Sequence, residues 1–267
     1  MNKCVSIINT CCNAVGMDQE QKHTLKSADK LFEILEYVLD EGEGTALSVA
    51  EAIDFNRSTV HVHLQTLVKH GYLVQDENLY RPSLKFLKHS ERVRDRIPFY
   101  QKGKDEVDEL AAETGELVNM ASVEQESFYL LYISEGEKAI HNHLPGKQMA
   151  MHASAVGKAI LAHLPTDDAD RIINKAKLTK ITENTITDED ELRTELETIR
   201  SQGFAVDAEE GGIGIRCLAA PVRSDERIVG AVSITGPTKR IGGEYEKSLQ
   251  TKITNLANVI EVKMKYE

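Results

Sequence analysis

The stretch "NRSTVHVHLQTLVKHGYL", Asn56 to Leu73, decides how this chain folds. Drawn at about 100° per residue, it sets Val60, Leu64, Leu67 and Val68 on one stripe, with Arg57, Ser58, His61, Gln65 and Lys69 ranged around the rest. That is a helix with one face to bury and another able to touch something polar. Gly71 ends it, because glycine adopts the left-handed conformation of a helix stop at no steric cost.

Working outward toward the N-terminus, Asp54-Phe55-Asn56 reads as a tight turn, since Asp and Asn tolerate the left-handed region. Before it, "TALSVAEAIDFN" makes a short helix with Thr45 as N-cap and Ala46, Val49, Ala50 and Ile53 inward. Earlier still, Ala28, Leu31, Phe32, Leu35, Val38 and Leu39 recur at helical spacing until Gly42 and Gly44 break the pattern. Two short helices joined by a three-residue turn are the pattern of a helix-turn-helix, whose second helix enters the major groove. Toward the C-terminus, "YLVQDENLYRPSL" reads as two brief strands around Asp76-Glu77-Asn78, a wing. A polar helix then runs to Pro98. The expected organisation is an extension over residues 1–21, disordered or spurious, a winged helix-turn-helix over 22–83, a linker helix over 84–97 and a second domain over 98–267.

The second domain opens with the helix "YQKGKDEVDELAAETG". Strand-like runs follow at "LVNMASVE", "SFYLLYIS" and "AIHNHL", then helices at "SAVGKAILAHL", Asp167–Lys175 and "TDEDELRTELETIRSQG". Three further strands, "FAVDAEE", "RCLAAPVR" and "IVGAVSIT", precede a last amphipathic helix. Neighbouring hairpins with helices grouped at their ends imply an α+β domain on a mainly antiparallel sheet.

A net charge of −11 argues against a nucleic-acid binder. The average conceals a split: residues 22–96 carry 11 Lys and Arg against 12 Asp and Glu, whereas residues 97–267 carry 20 against 29. Nearly all the acidity lies outside the helix-turn-helix. No apolar run approaches the roughly 18 residues that span a bilayer, and the first sixteen residues do not read as a secretory signal. The four cysteines, Cys4, Cys11, Cys12 and Cys217, form no CxxC pair or disulfide framework, so a reduced cytoplasm fits.

These blocks together resemble the IclR-type transcriptional regulators. The likeness runs from about Leu25 to the C-terminus, through "RSTVHVHLQTLVKHGYL", "LAAETGE", "MHASAVGKAILAHL", "ENTIT", "ELRTELETIRSQGFAVDAEE", "IRCLAAPVR" and "AVSITGP", in order. It implies a winged helix-turn-helix, a linker helix and a GAF-like effector domain, in homodimers or dimers of dimers that bind double-stranded DNA and a small effector. Two departures stand out. Val62 occupies a position where the family usually carries Arg, and Pro82-Ser83 stands where Leu-Gly is common.

For DNA, the expected contacts are Arg57, Ser58, Thr59, His61 and Gln65 on the recognition helix and Arg81 in the wing. Ser58 and Thr59 near the helix start can donate to phosphate, while His61 and Gln65 reach base edges. An ordinary solvated helix face would show the same periodicity. His63 is expected at the edge of the core.

For the effector, the small residues of "HASAVGKAI" lead into a helix opened by Ser154, leaving backbone N–H groups that a carboxylate can approach. "AVSIT" puts Ser233 and Thr235 on one face of a strand and Val232 and Ile234 on the other. The resemblance carries the family pocket onto Ala155, Val156, Asp207, Cys217, Ser233 and Thr235, for a small carboxylate or aromatic metabolite. Asp207 is awkward beside an anion, and accepts a hydrogen bond from an effector hydroxyl or a protein donor.

Other chemistry is weaker. "VGKA" lacks the first Gly and the final Ser or Thr of a phosphate loop, and "GGIGIR" has the wrong spacing for a dinucleotide fingerprint. Ser154, His152 and Asp207 form a conceivable hydrolytic triad, the basis of an alternative reading as a metabolite-processing enzyme, but no nucleophile-elbow glycines flank Ser154. His141 and His143 alternate on one strand with His152 nearby, a workable zinc set that competes with a simple solvated edge. Cys217 is a candidate redox sensor or an inert pocket thiol. The expectation is no enzyme and no cofactor.

Overall fold

The computed structural model describes residues 24–124, 126–140, 149–225 and 227–266. The first-domain extension and the expected histidine strand at His141 and His143 lie outside the described residues. The chain forms two compact units that part between Asp95 and Arg96.

In the first unit, α1 (Lys26–Glu41), α2 (Ala46–Ala52) and α3 (Arg57–Lys69) pack around Ile34, Leu35, Val38, Val49, Val60, Leu64 and Leu67. The stripe on α1 differs from the expected one. Ile34 is buried and Phe32 is 59% exposed, because Leu31, Ile34, Leu35 and Val38 follow the i, i+3, i+4, i+7 rule about the core, and Phe32 and Leu39 fall off it. Thr45 caps α2 in a capping box: its hydroxyl accepts from the Ser48 amide (3.1 Å), and Ser48 Oγ accepts from the Thr45 amide (2.9 Å). Asp54 takes a left-handed φ of 52° in the turn to α3. At the far end of α3, Tyr72 N donates to Leu67 O and Gly71 N to Val68 O, both at 2.9 Å, the paired bonds of a Schellman stop.

The wing is β2 (Leu73–Asp76) and β3 (Leu79–Pro82), turning at Glu77. A two-residue strand, β1 (Gly44–Thr45), pairs with β3 and completes a three-stranded sheet in the order β1-β3-β2. Such a strand is too short to leave an alternation in sequence. α4 (Lys85–Arg94) follows and buries none of its residues.

The second unit is a five-stranded, wholly antiparallel sheet in the order β5-β4-β8-β7-β6: β4 (Leu117–Glu124), β5 (Ser127–Glu135), β6 (Ala205–Ala208), β7 (Ile215–Ser224) and β8 (Arg227–Pro237). Strand alternation gives each face its own core. Val118, Met120, Leu218, Ala220, Val232 and Ile234 meet α5 (Pro98–Thr114) and α9 (Gly243–Tyr266). On the opposite face Ala121, Ala219 and Ala231 meet α6 (Ala155–Leu161), α7 (Thr166–Lys175) and α8 (Glu189–Gln202). Small residues on this second face let the short α6 sit close. Among the described residues no helix is long and apolar enough to cross a membrane.

Candidate DNA interface and effector cavity

On α3, Asn56 is the N-cap, and its Oδ1 accepts from both the amide (2.9 Å) and the hydroxyl (2.7 Å) of Ser58. The Ser58 hydroxyl is therefore held in the cap. Arg57 is exposed at the first helical position, Thr59 and His63 are half-buried, and Arg81 is exposed on β3 opposite Val74. Gln65 Nε2 donates to Gln75 Oε1 (2.8 Å) and Tyr80 Oη (3.0 Å), and Tyr80 Oη lies 3.4 Å from His61 Nδ1. The two side chains expected to read bases are thus also braced against the wing. Tyr80, buried at the root of β3, is the hinge of that brace. Sequence alternation identifies Tyr80 as inward, but only the packed wing brings its hydroxyl to α3. Replacing Tyr80 by Phe should destabilise the first unit by about 1 kcal/mol, the worth of a neutral hydrogen bond, as read from chemical denaturation; no change would show that the brace is not used in solution.

In the second unit the pairing register aligns Asp207, Cys217, Thr235 and Leu117 in one transverse row across β6, β7, β8 and β4. The next row on that face is Ala219, Ser233 and Asn119. Above these rows lies the start of α6. Ser154 caps it: Oγ accepts from Gly157 N and donates to Ala150 O, each at 3.1 Å. The amides of Ala155 and Val156, in the first turn, have no carbonyl partner within the helix. A cavity of about 50 Å³ collects all of them: Ser154, Ala155, Val156, Asp207, Cys217, Ser233 and Thr235, with Asn119 and an apolar wall of Phe128, Leu130 and Met149. All seven residues expected at one site do share one cavity.

Three features were not legible beforehand. Asn119, 3% exposed, accepts from Ser233 Oγ at 3.3 Å through Oδ1. An Asn inside the apolar run "LVNMASVE" was the available signal, but its partner depends on the β4–β8 register. Gly157 and Gly211 are required by close approach: a Cβ would lie 2.3 Å from Met151 O at the first and 2.7 Å from Ala153 O at the second. Finally, Lys158, 1% exposed, points away from water to Glu210 Oε1 (2.6 Å) and Glu195 Oε1 (3.1 Å).

The electrostatics follow from burial. Asp207 Oδ1 accepts from the amides of Glu210 (2.7 Å) and Gly211 (3.3 Å), yet desolvation dominates and pushes its carboxyl up to about 6. Burial likewise raises Glu210, against the pull of Lys158. The Cys217 thiol is pushed up to about 12 by desolvation, with the Asp207 charge adding to it, and accepts from Thr235 Oγ1 at 3.3 Å. A thiol so strongly protonated is a poor redox nucleophile, which favours the inert reading. The conceivable triad is not assembled: His152 Nε2 lies 3.2 Å from Thr179 O, burial lowers its pKa, and Ser154 is held in its cap. Among the described residues no cluster of three or more His, Cys, Asp or Glu is placed to hold a metal.

The helix-turn-helix model of IclR proteins matches residues 27–77, and the model described as the bacterial transcriptional regulator IclR C-terminal domain matches residues 92–262. The chain belongs to the IclR family of transcriptional regulators. This IclR protein is similar to the probable HTH-type transcriptional regulator ArcR of Halobacterium salinarum, with 30% identity over 239 residues, 87% of this chain and 91% of that one. Among solved structures, the IclR of Thermotoga maritima matches with a TM-score of 0.77 and 27% identity, covering 91% of this chain and 100% of the other. An IclR homologue of Microbacterium hydrocarbonoxydans complexed with 4-hydroxybenzoate has a TM-score of 0.80 over 91% of this chain and 100% of the other. At 19% identity that likeness carries the fold and not the ligand. The IclR relatives matched are named as transcriptional regulators, not as enzymes.

Proposed function

We propose that this IclR protein binds a pseudo-palindromic operator as a homodimer in the cytoplasm and senses a small carboxylic acid. The observation that carries the effector reading is the single cavity in which two strand hydroxyls, the first-turn amides of α6 and a carboxyl of raised pKa converge. An acid seated there receives hydrogen bonds from the Ala155 and Val156 amides and from Ser233, whose hydroxyl turns to the guest from its 3.3 Å contact with Asn119 Oδ1. Asp207 is not repelled by it: a carboxyl with a pKa near 6 takes up a proton and donates to the guest. The small volume favours a compact acid, and an aromatic one needs Phe128, Leu130 and Met149 to move apart.

The dimer is supported by apolar side chains left exposed in the first unit, Phe32, Leu87 and Val93 among them. Two-fold pairing sets half-sites about one helical turn apart or a multiple of it. The effector changes operator affinity through a coupling of roughly 1 to 3 kcal/mol. The reading uses no metal and no organic cofactor.

Gel shift of the full chain on its own upstream DNA, at fixed low salt with and without small carboxylic acids, tests it. The expected result is a shifted band whose midpoint moves with one acid. Ser233→Ala should weaken the response to that acid roughly tenfold, the loss of one hydrogen bond to a charged group, while leaving acid-free DNA binding unchanged. A chain that shifts no upstream fragment, or an acid response indifferent to Ser233, overturns the corresponding half of the proposal.

A further inference from the structure

We infer that Val62 is a specificity-determining residue of α3, and that its isopropyl group recognises the 5-methyl group of a thymine in the major groove. The inference rests on the reading of α3 as the recognition helix. Val62 lies about 200° around the helix from Val60, the pole opposite the buried stripe of Val60, Leu64 and Leu67. It is 62% exposed, with Ser58 one turn before it and Lys69 two turns after on the same pole. His61 and Gln65 sit on one flank of that pole, and their polar ends engage Tyr80 and Gln75 of the wing. Ser58 turns its hydroxyl to Asn56. Within the first two turns of α3, the side chain at that pole with no partner in the protein is therefore a branched hydrocarbon with no hydrogen-bonding capacity.

That chemistry selects its partner. The major groove presents hydrogen-bond donors and acceptors at every base pair, and the thymine methyl is the apolar group within reach of a helix. A β-branched side chain in a helix holds essentially one χ1 rotamer, so Val62 presents its methyls in a fixed direction and loses little freedom on docking. Exposed on a solvated helix it is a slightly poorer choice than alanine. Against a thymine methyl it removes apolar surface from water on both sides.

The test uses full-length protein. Duplexes bound by the wild type are selected from a random-sequence library, and affinities are then measured for the selected half-site and for the same duplex with each thymine in turn replaced by deoxyuridine. One thymine per half-site is expected at which loss of the methyl weakens wild-type binding roughly fourfold, the worth of one buried methyl group. Val62→Ala, which keeps or improves helix propensity, should bind the thymine and deoxyuridine duplexes equally. Unchanged thermal unfolding of the variant separates this from a folding defect, and Val62→Thr, with one methyl retained, should fall between the two. Wild-type binding indifferent to deoxyuridine at every position, or an alanine variant that keeps full sensitivity to the methyl, overturns the inference while leaving DNA binding intact. Failure of the wild type to select any duplex would bring down the DNA-binding reading itself, and this inference with it.

Discussion

Replacing Lys158 by Met is expected to destabilise the effector domain by about 3 to 5 kcal/mol, the cost of removing one partner from a buried ion pair. Lys158 is 1% exposed and its ammonium has two carboxylate neighbours, of which Glu210 is buried and Glu195 reaches solvent. Without the cation, Glu210 keeps a buried charge whose second oxygen, Oε2, already has no partner. It must then take up a proton or drag water inward. The loss should therefore be larger at pH 8 than at pH 5, where protonation of Glu210 relieves it. Because Glu210 donates its amide to Asp207 and its carbonyl accepts from Thr185 at 2.8 Å, the damage extends to the loop that walls the cavity. The double variant Lys158→Met, Glu210→Leu should recover most of the loss, since a pair exchanged for apolar groups of similar volume is often neutral. Calorimetric unfolding of the three proteins at both pH values distinguishes these outcomes. A single variant as stable as the double one would mean that the pair does not anchor α6 to the loop.

Asp207→Asn should instead stabilise the domain at neutral pH, by about 2 to 3 kcal/mol. The carboxyl is pushed up to about 6 by burial, against about 3.9 when unfolded. The folded state thus holds its proton more tightly than the unfolded state, so stability is greatest below about pH 4 and is lost as pH rises through about 6. Two pKa units correspond to roughly 3 kcal/mol. Asparagine keeps the acceptor for the Glu210 and Gly211 amides but carries no charge facing Glu210 and the Cys217 thiol, and it ends the attraction from Lys158. Thermal unfolding at pH 5 and pH 7.5 should show a gain at the higher pH that shrinks at the lower. The same substitution tests the effector site. Wild-type affinity for a carboxylate should fall by up to tenfold per pH unit above about 6, because binding takes up the Asp207 proton, and the asparagine variant should lose that slope. Equal stabilisation at both pH values would show that the charge of Asp207 is not what burial penalises.

The helices and strands were legible because their causes are local. Leu192, Leu196 and Ile199 repeat at the helical period and are the buried residues of α8, and "AVSIT" alternates so that Ser233 and Thr235 share a face. Turns were equally readable, since Asp54 and Gly71 stand where left-handed backbone is needed. Shared membership in one cavity was expected for seven residues, from small-residue and hydroxyl patterns together with the family resemblance. What those residues do to one another was not. Gln65 is a brace to the wing and Lys158 a buried cation, although each sits in a stretch of plain helical periodicity.

The reason is physical. Periodicity reports which side of an element faces the core, a property of neighbours within a few residues, so the sequence by itself determined two domains' worth of amphipathic elements and the polar face of α3. Strand register and helix placement bring together residues far apart in the chain, Asn119 with Ser233, Lys158 with Glu210, Tyr80 with His61 and Gln65. Only the tertiary structure decided those pairings, and with them the desolvation that raises Asp207 and the engagement of His61 and Gln65 by the wing that leaves Val62 without a partner beside them.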